Sequence, residues 1–594
     1  MQNLFHKKQF KIFLKFLRFL YPYRIKEITI LVLSGLSVLL SMVNPYLSKL
    51  VVDKAIMNKE LKSFITLALI GTGVFIFNGL IKAAADFLEK GIRLKVGFDL
   101  NKKIFSHLQG LPLQFFKDRS SGEHLFKVTY DIEKAVDLVV SVPDQFVNIF
   151  PKLFFVLAII FYFDWQMAIF ALILAPILYL PVFYLNQRMR LVWEDLIQNS
   201  QNIFKRLTEV FSHMYFIKAS GRERPEIRGY LKTVIANIKI NLRSTRLEVI
   251  SNFAGGSFER IIIGLITLFG GYQVIRGRFS IGTLTAIMLY MAQLVALQGN
   301  IVFFWRRLFF GIISCQRLDE ILREKQIILQ GTERKGGSLK GFDIQFKGIN
   351  FGYNRQKYIL KDLEFKIEEG WTALAGHSGG GKTTIVNLLL GLYEPWSGQI
   401  FIGGQNIKEL APFLFQKEIA VALQEPYLWD DSIENNIKYA KPNATKDEVI
   451  EACKLAGVDE FAQGLAEGYG SIIGEDACKL SEGQKQKIAI ARALLKKPKI
   501  LILDEAMSSM DSISEERIIT NIKKLSCIHS VILISHRLSA VLACEKVCFL
   551  KGLGRVNTDS PQELLHNEPA FNDLFSGQIK ELQHQDEIIA GKSD

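Results

Sequence analysis

Residues 374–391 read LAGHSGGGKTTIVNLLLG. Within them, Gly376 to Thr383 fits the pattern G-x-x-x-x-G-K-[ST], with an apolar strand-like run before it and an apolar helical run after it. Glycines at 376, 379, 380 and 381 let backbone N–H groups wrap a chain of phosphates. The helix that opens here adds the partial positive charge of its N-terminus. Lys382 has the reach for the β- and γ-phosphates, and the Thr383 hydroxyl can ligate Mg²⁺. A strand, a glycine loop and a helix in this order place an α/β domain in the second half of the chain.

Three stretches downstream extend that reading. KILILDEAMSSMD, residues 499–511, is a buried-strand pattern that ends in Asp504 and Glu505. Two carboxylates at the C-terminal tip of a strand suit a metal ion and the activation of a water. VILISHRLSA, residues 531–540, is a second apolar strand ending in a polar residue, His536. A neutral imidazole there can touch a γ-phosphate and position water. KLSEGQKQKIAIARAL, residues 479–494, opens a helix with Ser481, Glu482 and Gly483.

Outside this domain the composition changes. The chain has 594 residues, 49% of them hydrophobic, with 44 Phe and a net charge of +14. The length calls for two or more domains. The basic residues flank apolar spans, which favours cytoplasmic loops of a membrane protein over nucleic-acid binding. Six cysteines (315, 453, 478, 527, 544 and 548) form no CxxC pair and read as reduced thiols.

Four charge-free stretches are long enough to cross a bilayer: Ile28 to Ser48, Ser63 to Ile81, Trp165 to Gln187 and Phe279 to Trp305. Two weaker spans, near 141–163 and 250–274, complete a set of six. They carry Asp144, Lys152, Glu259 and Arg260. Such charges either face a protein interior or cavity, or lie on helices that extend into the cytoplasm. Lys82, Lys152, Arg260, Arg306 and Arg307 outnumber nearby acids, and if they line a cavity they suit an anionic or amphipathic cargo. The segments 82–140 and 188–249 are too long for loops and read as helices projecting beyond the membrane. At the start of the chain, Phe10, Phe13, Leu14, Leu17, Leu20 and Tyr21 share one helical face opposite Lys8, Lys11, Lys15 and Arg18. That pattern suits a helix lying in the membrane surface.

Taken together and in order, these motifs resemble those of the ATP-binding cassette (ABC) transporters, and nearly the whole chain resembles a half-size exporter. The fold this implies is an all-α six-helix transmembrane domain fused to an α/β P-loop nucleotide-binding domain, the type IV ABC exporter architecture. The corresponding divisions are a transmembrane domain over 1–322 with an N-terminal elbow helix, a linker over 323–341, a nucleotide-binding domain over 342–580 and a polar tail over 581–594.

The resemblance also implies roles. ATP would be bound by Tyr353, stacked on adenine, and by Gly376, Ser378, Gly379, Gly380, Gly381, Lys382, Thr383 and Thr384. Ser481, Gly483 and Gln484 of the signature LSEGQ would meet the ATP of a partner chain. Mg²⁺ would lie on Thr383, Gln424 and Asp504. Glu505, His536 and Gln424 would be catalytic, and Ser508 to Asp511 would form the D-loop. Short helices near Lys117 to His124 and Phe211 to Ala219 would be the tips of the two intracellular loops.

The implied function is ATP-driven export or flipping of a lipid, peptide or amphipathic drug-like compound by alternating access. An importer or an ATP-gated channel or regulator on the same architecture is the alternative. The expected cofactors are ATP and Mg²⁺. The expected partners are a second copy of the chain, or a related half-transporter, and membrane lipid, with no nucleic acid. The expected location is a bacterial-type inner membrane with the nucleotide-binding domain in the cytoplasm.

Position 482 departs from the common LSGGQ. Two unit charges ~4 Å apart repel by about 4 kcal/mol at an effective dielectric of ~20. The glutamate is therefore expected to point away from any phosphate, towards Lys485 or Lys487. A positive φ at this position would add ~1–2 kcal/mol of strain.

Overall fold

The computed structural model describes residues 7–326, 339, 341–354, 356–410, 417–474, 477 and 479–590. Inside its helices it leaves out the side chains of 7–10, 170–183, 186–187, 190, 254–255, 258–259, 262, 298, 302 and 581–590. The chain forms two compact units, one of residues 1–111 and 115–326, the other of 112–114 and 327–594. Most of the linker expected over 323–341 lies outside the described residues, as do Cys478 and the Glu259 side chain.

The first unit is helical. Helix α1 (Lys7–Leu17) leads through a 3-10 turn into α2 (Arg24–Ser41) and α3 (Val43–Leu50). Long helices follow: α4 (Leu61–Gln109), α7 (Ile132–Phe163), α8 (Trp165–Ser212), α10 (Glu223–Ile275) and α11 (Ile281–Arg323). Short helices α5 (Leu113–Lys117), α6 (Ser121–Phe126) and α9 (Met214–Ala219) fall where loop-tip helices are expected. Among the described residues, Lys11–Ile56, Leu61–Gln109, Ser121–Phe163 and Ile281–Arg323 are long and apolar enough to cross a membrane. Ile263–Ile275 is a shorter apolar stretch. At ~1.5 Å per residue, α4 with its 49 residues is ~74 Å long. That is more than twice a ~30 Å hydrocarbon core, so its polar half reaches beyond it.

Outward faces of these helices are apolar, with Phe75 70% and Phe154 68% exposed. Several polar groups are turned inward and matched, whereas both carboxylate oxygens of the buried Glu27 have no hydrogen-bond partner among the described residues. Asp144 accepts from the Ser34 hydroxyl and, at 2.9 Å, from the Asn148 amide. The charge in the weak third span therefore faces protein. Arg93 ties Asp137, Glu89 and Ser141 together. Arg306 is not a free cation: it pairs with Glu248 at 3.2 Å and lies over the Phe303 ring.

The first span is interrupted at Met42, between α2 and α3. Pro45 has no N–H to give the Ser41 carbonyl four residues back. Gln293 of α11 donates to that carbonyl at 3.2 Å, and the Tyr290 hydroxyl donates to Met42 O at 2.5 Å. Helix α1 differs from expectation. Its buried stripe is Ile12 and Phe16, continued by Leu20, packed into the helical core. Leu14 and Tyr21 face outward. One apolar side thus serves protein and the other remains open, because the helix is apolar over more than half its circumference.

The second unit holds two sheets. The four-stranded antiparallel sheet has the order β2-β1-β4-β5, from β1 (Ile344–Phe351), β2 (Leu360–Ile367), β4 (Ser397–Ile402) and β5 (Gln405–Asn406). The six-stranded sheet has the order β10-β9-β3-β8-β7-β6. Its strands are β3 (Gly370–Gly376), β6 (Ile419–Ala422), β7 (Ile500–Asp504), β8 (Ser530–Ile534), β9 (Lys546–Leu550) and β10 (Val556–Asp559). Strands β3, β6, β7, β8 and β9 are parallel neighbours, so their C-terminal ends share one edge. Both faces are covered, and β7 and β8 are buried at every residue, as continuous apolar runs require. The last helix runs Pro569–Ala590. It continues through residues 581–590, the first part of the stretch 581–594 read from sequence as a polar tail, because Glu, Leu, Gln and Ala there are strong helix formers. Residues 591–594 lie outside the described set.

Candidate nucleotide site

The glycine loop follows β3 and ends at α12 (Lys382–Leu389). Gly381 caps that helix with φ 98, a left-handed backbone that a residue with a Cβ resists. Lys382 is buried and folded back over the loop, donating to the carbonyls of Gly376 at 2.6 Å and His377 at 3.2 Å. Burial pushes its ammonium pKa down, against the pull of Glu505 and Asp504. Ser378, Gly379 and Thr383 are exposed, whereas Thr384 is buried and its hydroxyl meets Tyr353 Oη at 3.3 Å. Tyr353 stands edge-on to Tyr393, with ring centroids 5.1 Å apart.

Strand β7 delivers Asp504 to the same sheet edge, almost buried. Burial pushes its carboxyl up to about 6, Glu505 adds to the rise and Lys382 opposes it. Glu505 follows in left-handed backbone, φ 49. Such a conformation costs ~1–3 kcal/mol and marks sites where geometry matters more than ease of folding. Its N–H is held by Ile534 O at 3.0 Å. Its carboxylate stands 3.0 Å from His536 Nε2. A cavity of about 120 Å³ lies here, lined by Glu505, Met507, Ser508, Ile534, Ser535, His536 and Arg537.

The signature helix Glu482–Leu495 starts at Ser481 with a reciprocal cap. The Ser481 hydroxyl accepts from Gln484 N at 3.3 Å, and Gln484 Oε1 accepts from Ser481 N at 2.9 Å. The hydroxyl proton stays available to an incoming oxygen. Glu482 points outward and pairs with Lys485 at 2.8 Å, while Lys487 is taken by Glu460. Its backbone is helical and is not among the positive-φ residues, so no strain attaches to it. A Cβ on Gly483 would lie 2.9 Å from Ser509 O, so the D-loop backbone holds that position small. Among the described residues, no hydrogen bond joins these signature residues to the glycine loop of the same chain.

Two residues that sequence reasoning did not single out connect these parts. Gln486, buried in the signature helix, donates to Gln424 O at 3.2 Å and to Ser508 Oγ at 3.1 Å, and accepts from Ser509 N at 3.1 Å. Arg537 binds Glu515 at 2.7 Å and the carbonyls of Ser508 and Met510. The exposed Gln424 side chain is brought to the site through its backbone rather than by a side-chain contact.

Comparisons agree with this geometry. Residues 28–298 match the model of the ABC transporter transmembrane region, and residues 360–508 match the ABC transporter model. Putative multidrug export ATP-binding/permease proteins of Staphylococcus aureus strains NCTC 8325 and COL are each 30% identical over 575 residues, 95% of this chain and 99% of theirs. The chain belongs to the ABC transporter family. A further relative from the bovine strain RF122 / ET3-1 is 30% identical over 579 residues. Among solved structures, a bacterial Atm1-family ABC exporter with ATP bound matches this ABC transporter with a TM-score of 0.83. It is 22% identical, with 94% of this chain and 98% of that chain covered, and the likeness carries the fold. The fused membrane and ABC nucleotide units are therefore a property of the family, and nucleotide binding belongs to the second of them.

Proposed function

We propose that this chain is an ATP-driven exporter of amphipathic, drug-like compounds that works as a pair of identical subunits in a bacterial inner membrane. The observation that carries it is the Glu505–His536 pair, 3.0 Å apart at the end of two buried parallel strands. Glu505 would accept a proton from the attacking water, and His536 would hold that carboxylate in register. Lys382 would leave the loop carbonyls for the β- and γ-phosphates.

A divalent cation fits the donor set. Asp504 is a nearly buried carboxylate with no hydrogen bond or ion pair among the described residues, and such a group calls for a cation. With the Thr383 hydroxyl and the Gln424 amide it offers only hard oxygen donors, which suits Mg²⁺. Bound there, the ion would neutralise charge on the transferring phosphate.

Among the described residues, no hydrogen bond joins the signature to the glycine loop of the same chain, which supports a site completed by a second copy. The outward direction follows the export named in the relatives, against the importer alternative. Inside-out vesicles containing the purified chain should accumulate an amphipathic dye when ATP is added. Glu505→Gln vesicles should not. ATP-independent accumulation, or equal accumulation by both, would remove the proposal.

A further inference from the structure

The loop that carries His536 is held from a direction that its own strand does not supply. Gln578, on the helix Pro569–Ala590, places one amide against the backbone on both sides of Arg537. Its Nε2 donates to His536 O at 2.7 Å, and its Oε1 accepts from Leu538 N at 2.7 Å. Leu538 opens a short helix whose first N–H has no side-chain cap from Arg537, so this bond satisfies an end group.

The helix that presents Gln578 is itself fixed. Phe571 and Phe575 are buried in the core of the nucleotide unit, and Phe571 stacks edge-on against Phe549 of β9. Positions 571, 575 and 578 lie on one helical face, so the amide is aimed by the same packing that anchors the helix. On the opposite side, Arg537 grips the D-loop carbonyls of Ser508 and Met510. The histidine loop is thus clamped between the D-loop and the C-terminal helix.

We infer that Gln578 is a positioning residue for hydrolysis: from the C-terminal helix it fixes the His536 backbone, and so keeps Nε2 of that histidine against Glu505. This rests on the catalytic reading of Glu505 and His536 given above. Gln578 touches neither nucleotide nor water in this scheme. Its removal therefore slows turnover without weakening ATP binding, which depends on Tyr353 and the glycine loop.

The test uses the full chain in lipid nanodiscs. ATP turnover, KM for ATP and melting temperature are measured for wild type, Gln578→Ala, Gln578→Glu, Lys580→Ala and His536→Ala. Gln578→Ala should lower kcat about tenfold, or about 1.4 kcal/mol of barrier, with KM within twofold and the melting temperature unchanged. Gln578→Glu keeps the acceptor for Leu538 N and loses the donor to His536 O, so its kcat should be intermediate. Lys580→Ala, exposed on the same helix, should match wild type. Wild-type kcat in Gln578→Ala overturns the inference. So does a loss of kcat that comes with a raised KM and a lowered melting temperature, since that is the mark of a merely structural residue. Wild-type turnover in His536→Ala instead overturns the catalytic reading itself.

Discussion

The two units place their polar groups in opposite ways. In the nucleotide unit, apolar strands fill the interior, and Asp504, Glu505, His536 and Ser481 stand at strand or helix ends. In the membrane unit, phenylalanines face outward and the polar groups are the interior: Asp144 with Ser34 and Asn148, Arg93 with Asp137, Gln293 and Tyr290 with the carbonyls of the interrupted first span. In water, a strand end can leave an acid half free for chemistry. In hydrocarbon, an unmatched polar group costs several kcal/mol, which favours pairs such as these. The matched polar residues named here in the first unit hold its helices together, and those at the strand ends of the second are placed where chemistry is possible.

The largest effect that tests this contrast is expected at Glu505. Removing a general base costs ~10²–10⁴-fold in rate, so Glu505→Gln should lower ATP turnover at least a hundredfold and leave nucleotide binding intact. A fluorescent ATP analogue and a phosphate-release assay measure both. A turnover near wild type would move the chemistry elsewhere.

Asp504 sharpens the contrast through stability. Its folded pKa of about 6 is above the ordinary ~3.9. The fold thus favours the protonated acid, and that contribution is present below pH ~4 and lost as pH rises through 6. The ionised form is worth about −3 kcal/mol to the nucleotide-free protein at neutral pH. Asp504→Asn should melt at a higher temperature than wild type at pH 8, and the gap should narrow at pH 5. A gap that does not depend on pH would break the linkage.

In the membrane unit, the double variant Tyr290→Phe with Gln293→Leu removes two donors from the break at Met42. Interhelical hydrogen bonds in membranes average ~0.6 kcal/mol. A loss of about 1 kcal/mol is expected, seen as a melting shift of a few degrees in nanodiscs with ATP affinity unchanged. A change in ATP affinity would mean that these residues do more than hold shape.

Glu482→Gly should have the smallest effect. The side chain points outward to Lys485, so KM for ATP should change less than twofold. A large gain in affinity would show that the acid does face phosphate.

Legibility from sequence followed the same divide. The phosphate loop and the two strand ends were readable because each is a contiguous run whose chemistry depends on neighbours in sequence. The membrane helices were readable from length and hydropathy. Pairings between distant residues were not. Gln486 meets Gln424 62 positions away, and Gln578 meets His536 42 positions away. Each looks like an ordinary polar residue on an amphipathic helix. Of the buried stripe, Leu20 was on the face read from sequence, but Ile12 and Phe16 were not, because positions 10, 13, 14, 17 and 19 are apolar as well and periodicity cannot then choose among them.

Pro45 has a practical consequence for protein engineering. The break in the first span is supported from the last, through Tyr290 and Gln293. A chimera that imports span one from a relative without the residues at those two positions would inherit carbonyls at the break with no donor. Shuffling of segments among such transporters should therefore treat the two helices as one cassette.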